Sequence, residues 1–149
     1  AAHAEPDPGT ATTLSVLSTF VPCALGAAAF TGDAPEAGWA LMAGGVLLGP
    51  ATGYVYGGLP GRGLAGVGIR AGAAVVGMLG VASMFDEYND SWGGAVIALA
   101  AGAGIAVSMA VDVGLVGRDV RRRNERVALA VTPWRTREGG PGLALQARF

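Results

Sequence analysis

Apolar residues fall into four long runs, Thr12 to Phe30, Ala37 to Tyr56, Leu64 to Phe85 and Gly93 to Val116, divided by short polar stretches. Each run has roughly the 20 residues that an α-helix needs to cross a hydrocarbon layer of about 30 Å. The dividing stretches, residues 31–36, 57–63 and 86–92, are built largely of Gly, Pro, Asp and other turn formers. Connections this short make consecutive helices antiparallel neighbours. The pattern predicts an all-α membrane protein: a flexible acidic leader (1–11), an antiparallel bundle of four transmembrane helices (12–117) and an Arg-rich cytoplasmic tail (118–149).

Composition strengthens this expectation. The chain of 149 residues is 52% apolar and only 14% charged, which favours a bilayer over water as its surroundings. Its 26 glycines lie mostly inside the apolar runs. There each would cost a soluble helix about 1 kcal/mol relative to Ala, whereas membrane helices use them to bring backbones close. All ten basic residues are Arg, and with the abundance of Ala, Gly and Val this points to a GC-rich bacterial genome. Residues 1–11 place no positive charge ahead of the first run, so that run is expected as a retained helix and not a cleavable signal. Cys23, the only cysteine, excludes an intrachain disulfide and is expected to pack as a small residue.

Arginine placement sets the orientation. The first and third connections contain none, the second contains Arg62, and eight more follow Gly117. The positive-inside tendency then puts both termini and the second connection in the cytoplasm of a bacterial inner membrane. Trp39, Tyr88 and Trp92 would mark the outer interface, and Tyr54 and Tyr56 the cytoplasmic one. Beyond Gly117 the charge is +5, and Arg118, Arg121, Arg122, Arg123 and Arg126 are expected to extend the fourth helix and meet anionic lipid headgroups. Val127 to Val131 and Leu143 to Ala147, flanking Pro133 and Gly139 to Gly142, read as a small β-hairpin able to dock on the bundle, the lipid surface or a partner.

Small residues recur at every fourth position in two runs. Gly45, Gly49, Gly53 and Gly57 mark the second, and Gly94, Ala98, Gly102, Ala106, Ala110 and Gly114 the fourth. Each series is expected to form a groove along one helix face, filled either within the chain or by a helix of another protein. Pro50 lacks a backbone donor and should kink or break the second helix. Two charges lie inside the spans, Arg70 and Asp112, at equal distances from the cytoplasmic ends of neighbouring helices. Unpaired charges in lipid are costly, so an ion pair is expected; snorkelling or a solute pathway are the alternatives.

Few groups suit catalysis. The only histidine, His3, lies in the leader, so no helix offers an axial ligand to haem or chlorophyll, and no cofactor is expected. No Ser-His-Asp set, phosphate-binding loop or zinc signature occurs, and Asp86, Glu87 and Asp90 lack the spacing of a calcium loop. Neither metal nor nucleic acid is expected as a partner.

The stretch Gly49-Pro50-Ala51-Thr52-Gly53-Tyr54-Val55-Tyr56-Gly57-Gly58, followed by Gly61-Arg62-Gly63 and Arg70, resembles a pattern in small bacterial multi-pass membrane proteins. Some of these also end in a Gly-Leu-x-Leu-x-x-Arg-Phe run like Gly142 to Phe149. The resemblance implies a helical bundle and carries no activity or site residue with it. The expected role is a non-catalytic accessory or scaffolding subunit of a larger inner-membrane complex, of photosynthetic or respiratory kind. The alternative is an oligomeric transporter or channel built around Pro50, Arg70 and Asp112. A membrane enzyme would have to work with carboxylates and arginines alone.

Overall fold

A computed structural model describes residues 5–85, 91–128, 132–135 and 141–144. It contains four helices, α1 (Pro8–Phe30), α2 (Pro35–Tyr56), α3 (Pro60–Ser83) and α4 (Ser91–Ala128). The first three begin on proline, whose fixed φ suits the first helical turn and whose missing N–H is not needed there. They therefore start ahead of the apolar runs. Asp7 caps α1 by accepting from the Thr10 N–H at 2.6 Å, and that bond holds its carboxyl below the ordinary value of 3.8. The leader and tail limits fall inside helices, because α1 begins at Pro8 and α4 runs to Ala128.

Among the described residues, α1, α3 and α4 are long and apolar enough to cross a membrane. α2 falls short of that measure, its apolar content diluted by five glycines and two prolines. It runs unbroken through Pro50, as α1 does through Pro22, so of the two expected outcomes, a kink or a break, the break does not occur.

The helices form two tight antiparallel hairpins, α1 with α2 and α3 with α4. Gly26 meets Gly38 near one end of the first hairpin and Ala11 meets Gly53 at the other. In the second, Gly80 meets Gly94 and Gly66 meets Asp112. The hairpins join around a small core of Ala11, Tyr54, Val116 and Val120, with Leu59 packed against it.

Burial is inverted relative to a water-soluble domain. The fully buried side chains include Arg70, Tyr54, Thr19 and Ser15, whereas Leu17, Phe20, Leu64, Ile69 and Leu99 are each more than half exposed. Water would penalise such a surface, while hydrocarbon solvates it and leaves polar groups to find partners inside.

In the tail, Thr132–Arg135 pairs antiparallel with Pro141–Ala144. This pairing departs from the expected hairpin of Val127 to Val131 with Leu143 to Ala147. Val127 and Ala128 close α4 instead, and residues 129–131 and 145–149 lie outside the described residues.

Candidate functional site

The most polar part of the interior lies where α2, α3 and α4 meet. Arg70 is fully buried, and its Nη1 donates to Asp112 Oδ2 at 2.5 Å. The expected ion pair is therefore present between α3 and α4. It has further members that spacing did not indicate. Arg70 Nε and Nη2 donate to the Leu47 carbonyl at 3.3 and 3.0 Å, and Nη1 lies 3.5 Å from Ser108 Oγ. The missing N–H of Pro50 leaves the Val46 carbonyl without its ladder donor, and the next carbonyl, that of Leu47, takes the Arg70 guanidinium as a side-chain donor. A charge that would be prohibitive in lipid is thus paired and hydrogen-bonded on several sides.

Hydroxyl groups serve the other face of the same turn. Ser15 Oγ donates to the Pro50 carbonyl at 3.0 Å, and Ser18 Oγ lies 2.8 Å from the Gly49 carbonyl and 2.5 Å from Thr52 Oγ1. Thr19 turns its hydroxyl back to the Ser15 carbonyl at 2.6 Å. None of these four stood out in the sequence, where an isolated Ser or Thr in an apolar run is unremarked. Only Thr52, two residues from Pro50, carried a signal in the sequence; Ser15, Ser18 and Thr19 lie on another helix and meet that turn through packing.

Tyr54 corrects an expectation. It is wholly buried and not an interfacial anchor: its hydroxyl lies 3.4 Å from both the Asp112 carbonyl oxygen and Asp119 Oδ2. Asp119 also pairs with Arg62 Nε at 2.8 Å. A polar line therefore runs from the rim pair Arg62–Asp119 through Tyr54 to the backbone beside Asp112. Tyr56 is partly exposed, and Trp39 is 68% exposed with its ring edge-on to Phe30 at 5.0 Å.

The glycine series separate into used and open positions. Gly45, Gly49 and Gly53 lie against α1, where an added Cβ would meet Thr19 O at 2.8 Å, Thr19 Cα at 2.6 Å and the Ala11 carbonyl respectively. Gly57 instead faces Val120 of α4. Gly94 is held against Gly80 and Ser83 of α3, while Gly102 and Gly114 have nothing within 4 Å of an added Cβ. The series do not form single faces. Four residues turn an α-helix by about 400°, so the marked side drifts about 40° per step, and Gly94 and Gly114 point about 200° apart. Gly66, outside both series, packs directly on the Asp112 carboxylate.

Clefts flank the open part of α4. One of about 430 Å³ is lined by Thr19, Phe20, Ala106, Met109, Ala110, Val113 and Gly114. Another of about 480 Å³ includes Trp39, Gly77, Ala98 and Gly102. Cys23 is half-buried, with Sγ 3.9 Å from the Met42 carbonyl.

Of the basic cluster, Arg122, Arg123 and Arg126 line a rim cavity with Arg62, whereas Arg118 and Arg121 do not. Asp86, Glu87, Tyr88, Asp90 and His3 lie outside the described residues. Among the described residues no group of three His, Cys, Asp or Glu is placed to hold a metal. No family model, curated protein or solved structure matches this chain.

Proposed function

We propose that the chain is a four-span bacterial inner-membrane protein with both ends in the cytoplasm, acting as a non-catalytic subunit that holds a transmembrane helix of another protein. α2 serves as the fourth span: its 22 residues reach about 33 Å at 1.5 Å per residue, and its glycines rather than charges lower its hydropathy. Arg62 and the arginines of α4 lie at one end of the bundle, with Asp33 and Glu36 at the other, which supports the orientation.

The observation that carries the proposal is the unfilled stretch of α4. Gly45, Gly49 and Gly53 are occupied within the chain, but Ala106, Ala110 and Gly114 are exposed and line one apolar cleft, with Gly102 on another. Small residues let a second backbone approach closely, and association in lipid depends on that approach. A respiratory or photosynthetic complex is the kind of host proposed.

Purification from the source membrane in mild detergent, followed by mass spectrometry, should recover a stoichiometric membrane partner. Ala106→Leu/Ala110→Leu should release it while leaving the chain folded. A wild-type chain that runs alone would overturn the proposal. Proton or ion flux in liposomes that disappears with Asp112→Asn would support a transporter instead, since a cleft of about 430 Å³ between α3 and α4 reaches Asp112 and Ser108.

A further inference from the structure

At the arginine end of the bundle, Leu59, Arg62, Asp119, Arg122, Arg123 and Arg126 enclose a cavity of about 250 Å³. The lining holds four arginines and one carboxylate, and that carboxylate is already engaged by Arg62. Arg122, Arg123 and Arg126 make no ion pair among the described residues. The connection between α2 and α3 shapes the wall: Gly58 adopts φ 69°, and a Cβ there would lie 2.7 Å from Arg123 Cζ. The site is thus a formed concavity with surplus positive charge. Arg118 and Arg121, on the same helix, are outside it.

Arg62 also lines the cleft between α3 and α4. That cleft descends from the rim along Ala65, Ile69, Val107 and Val111, with Ser108 and Asp112 on its polar side. A cationic chamber meeting an apolar groove at one residue matches an amphiphile with an anionic head. We propose that these two cavities, which share Arg62, together bind one anionic phospholipid, its phosphodiester against Arg62, Arg122, Arg123 and Arg126 and an acyl chain along the α3–α4 groove. Guanidinium groups suit phosphate oxygens through paired, charge-assisted hydrogen bonds, and basic pockets at the cytoplasmic ends of membrane helices suit such headgroups. The site rests on the membrane-spanning reading but not on the partner helix.

Native mass spectrometry of the full chain in neutral detergent, titrated with phosphatidylglycerol and with phosphatidylcholine, tests it. Arg122→Gln/Arg126→Gln should reduce retention of one phosphatidylglycerol about tenfold or more, and Arg118→Gln/Arg121→Gln, removing the same charge, less than about twofold. Val107→Trp, which fills the groove, should also weaken retention, and inorganic phosphate should not displace the lipid. Equal losses in the two arginine pairs would mean diffuse surface charge and overturn the site. Displacement by inorganic phosphate with no effect of Val107→Trp would identify a free-phosphate site instead. Alkaline carbonate extraction separates the two levels: release of the chain sinks the spanning reading, whereas retention without phosphatidylglycerol preference sinks only the lipid site.

Discussion

Between the half of the bundle that holds Arg70 and the half that ends at Phe30, Trp39 and Ser83, packing changes character. In the first, side chains of one hairpin bond to backbone or side chains of the other: Arg70 to Leu47, and Tyr54 to Asp112 and Asp119. In the second, each hairpin closes on its own glycines, Gly26 on Gly38 and Gly80 on Gly94, and an apolar cleft separates Trp39 from α3 and α4. Lipid offers little hydrophobic drive for helix association, so close backbone approach and polar bonds must supply it. One half has both between its hairpins; the other has close approach only within each hairpin. The tight half thus acts as the joint of the molecule.

The largest effect should come from unbalancing the joint. Asp112→Leu leaves the buried Arg70 guanidinium without its counter-charge and should lower stability by about 3–5 kcal/mol, read from denaturant titration in detergent micelles. The double change Arg70→Met/Asp112→Leu should recover much of that loss. If it is no better than the single change, the pair does not carry the joint.

Glycine replacements sharpen the contrast next. Gly53→Ala forces a Cβ into the Ala11 carbonyl and should cost about 1–3 kcal/mol. Gly102→Ala has open space and should be neutral, or stabilising by up to about 1 kcal/mol through helix propensity. Equal effects at the two positions in the same unfolding assay would remove the distinction between filled and open faces.

The smallest effect lies at the start of α1. Because Asp7 has a lowered carboxyl pKa in the folded chain, its contribution is complete above the ordinary value of 3.8 and is lost as pH falls through the lower folded value. Protection of the Thr10 amide, taken relative to its intrinsic exchange rate at each pH, should therefore fall on acidification in that window, while Arg70 and its neighbours stay protected. Asp7→Asn should remove this pH dependence.

Much of this contrast was legible in outline. The apolar runs located the four helices, and the equal depths of Arg70 and Asp112 indicated their pairing. Proline at the first turn of α1, α2 and α3 was also readable, and would have moved the starts from Thr12, Ala37 and Leu64 toward Pro8, Pro35 and Pro60. The burial of Tyr54 was not legible, because a tyrosine near a span end suits lipid headgroups and a polar core equally well. Nor was the role of Gly66, whose value lies in a carboxylate contributed by another helix.

The sequence by itself determined what is one-dimensional: helix length from apolar run length, antiparallel order from short connections, and the depth of each charge from the rise per residue. Only the tertiary structure decided direction around each helix axis. A four-residue repeat drifts by about 40° per step, so whether Gly53 or Gly114 meets a neighbour depends on where the next helix crosses. That crossing also decides that Arg70 reaches the Leu47 carbonyl beside Pro50, and that Arg122, Arg123 and Arg126 join Arg62 while Arg118 and Arg121 do not.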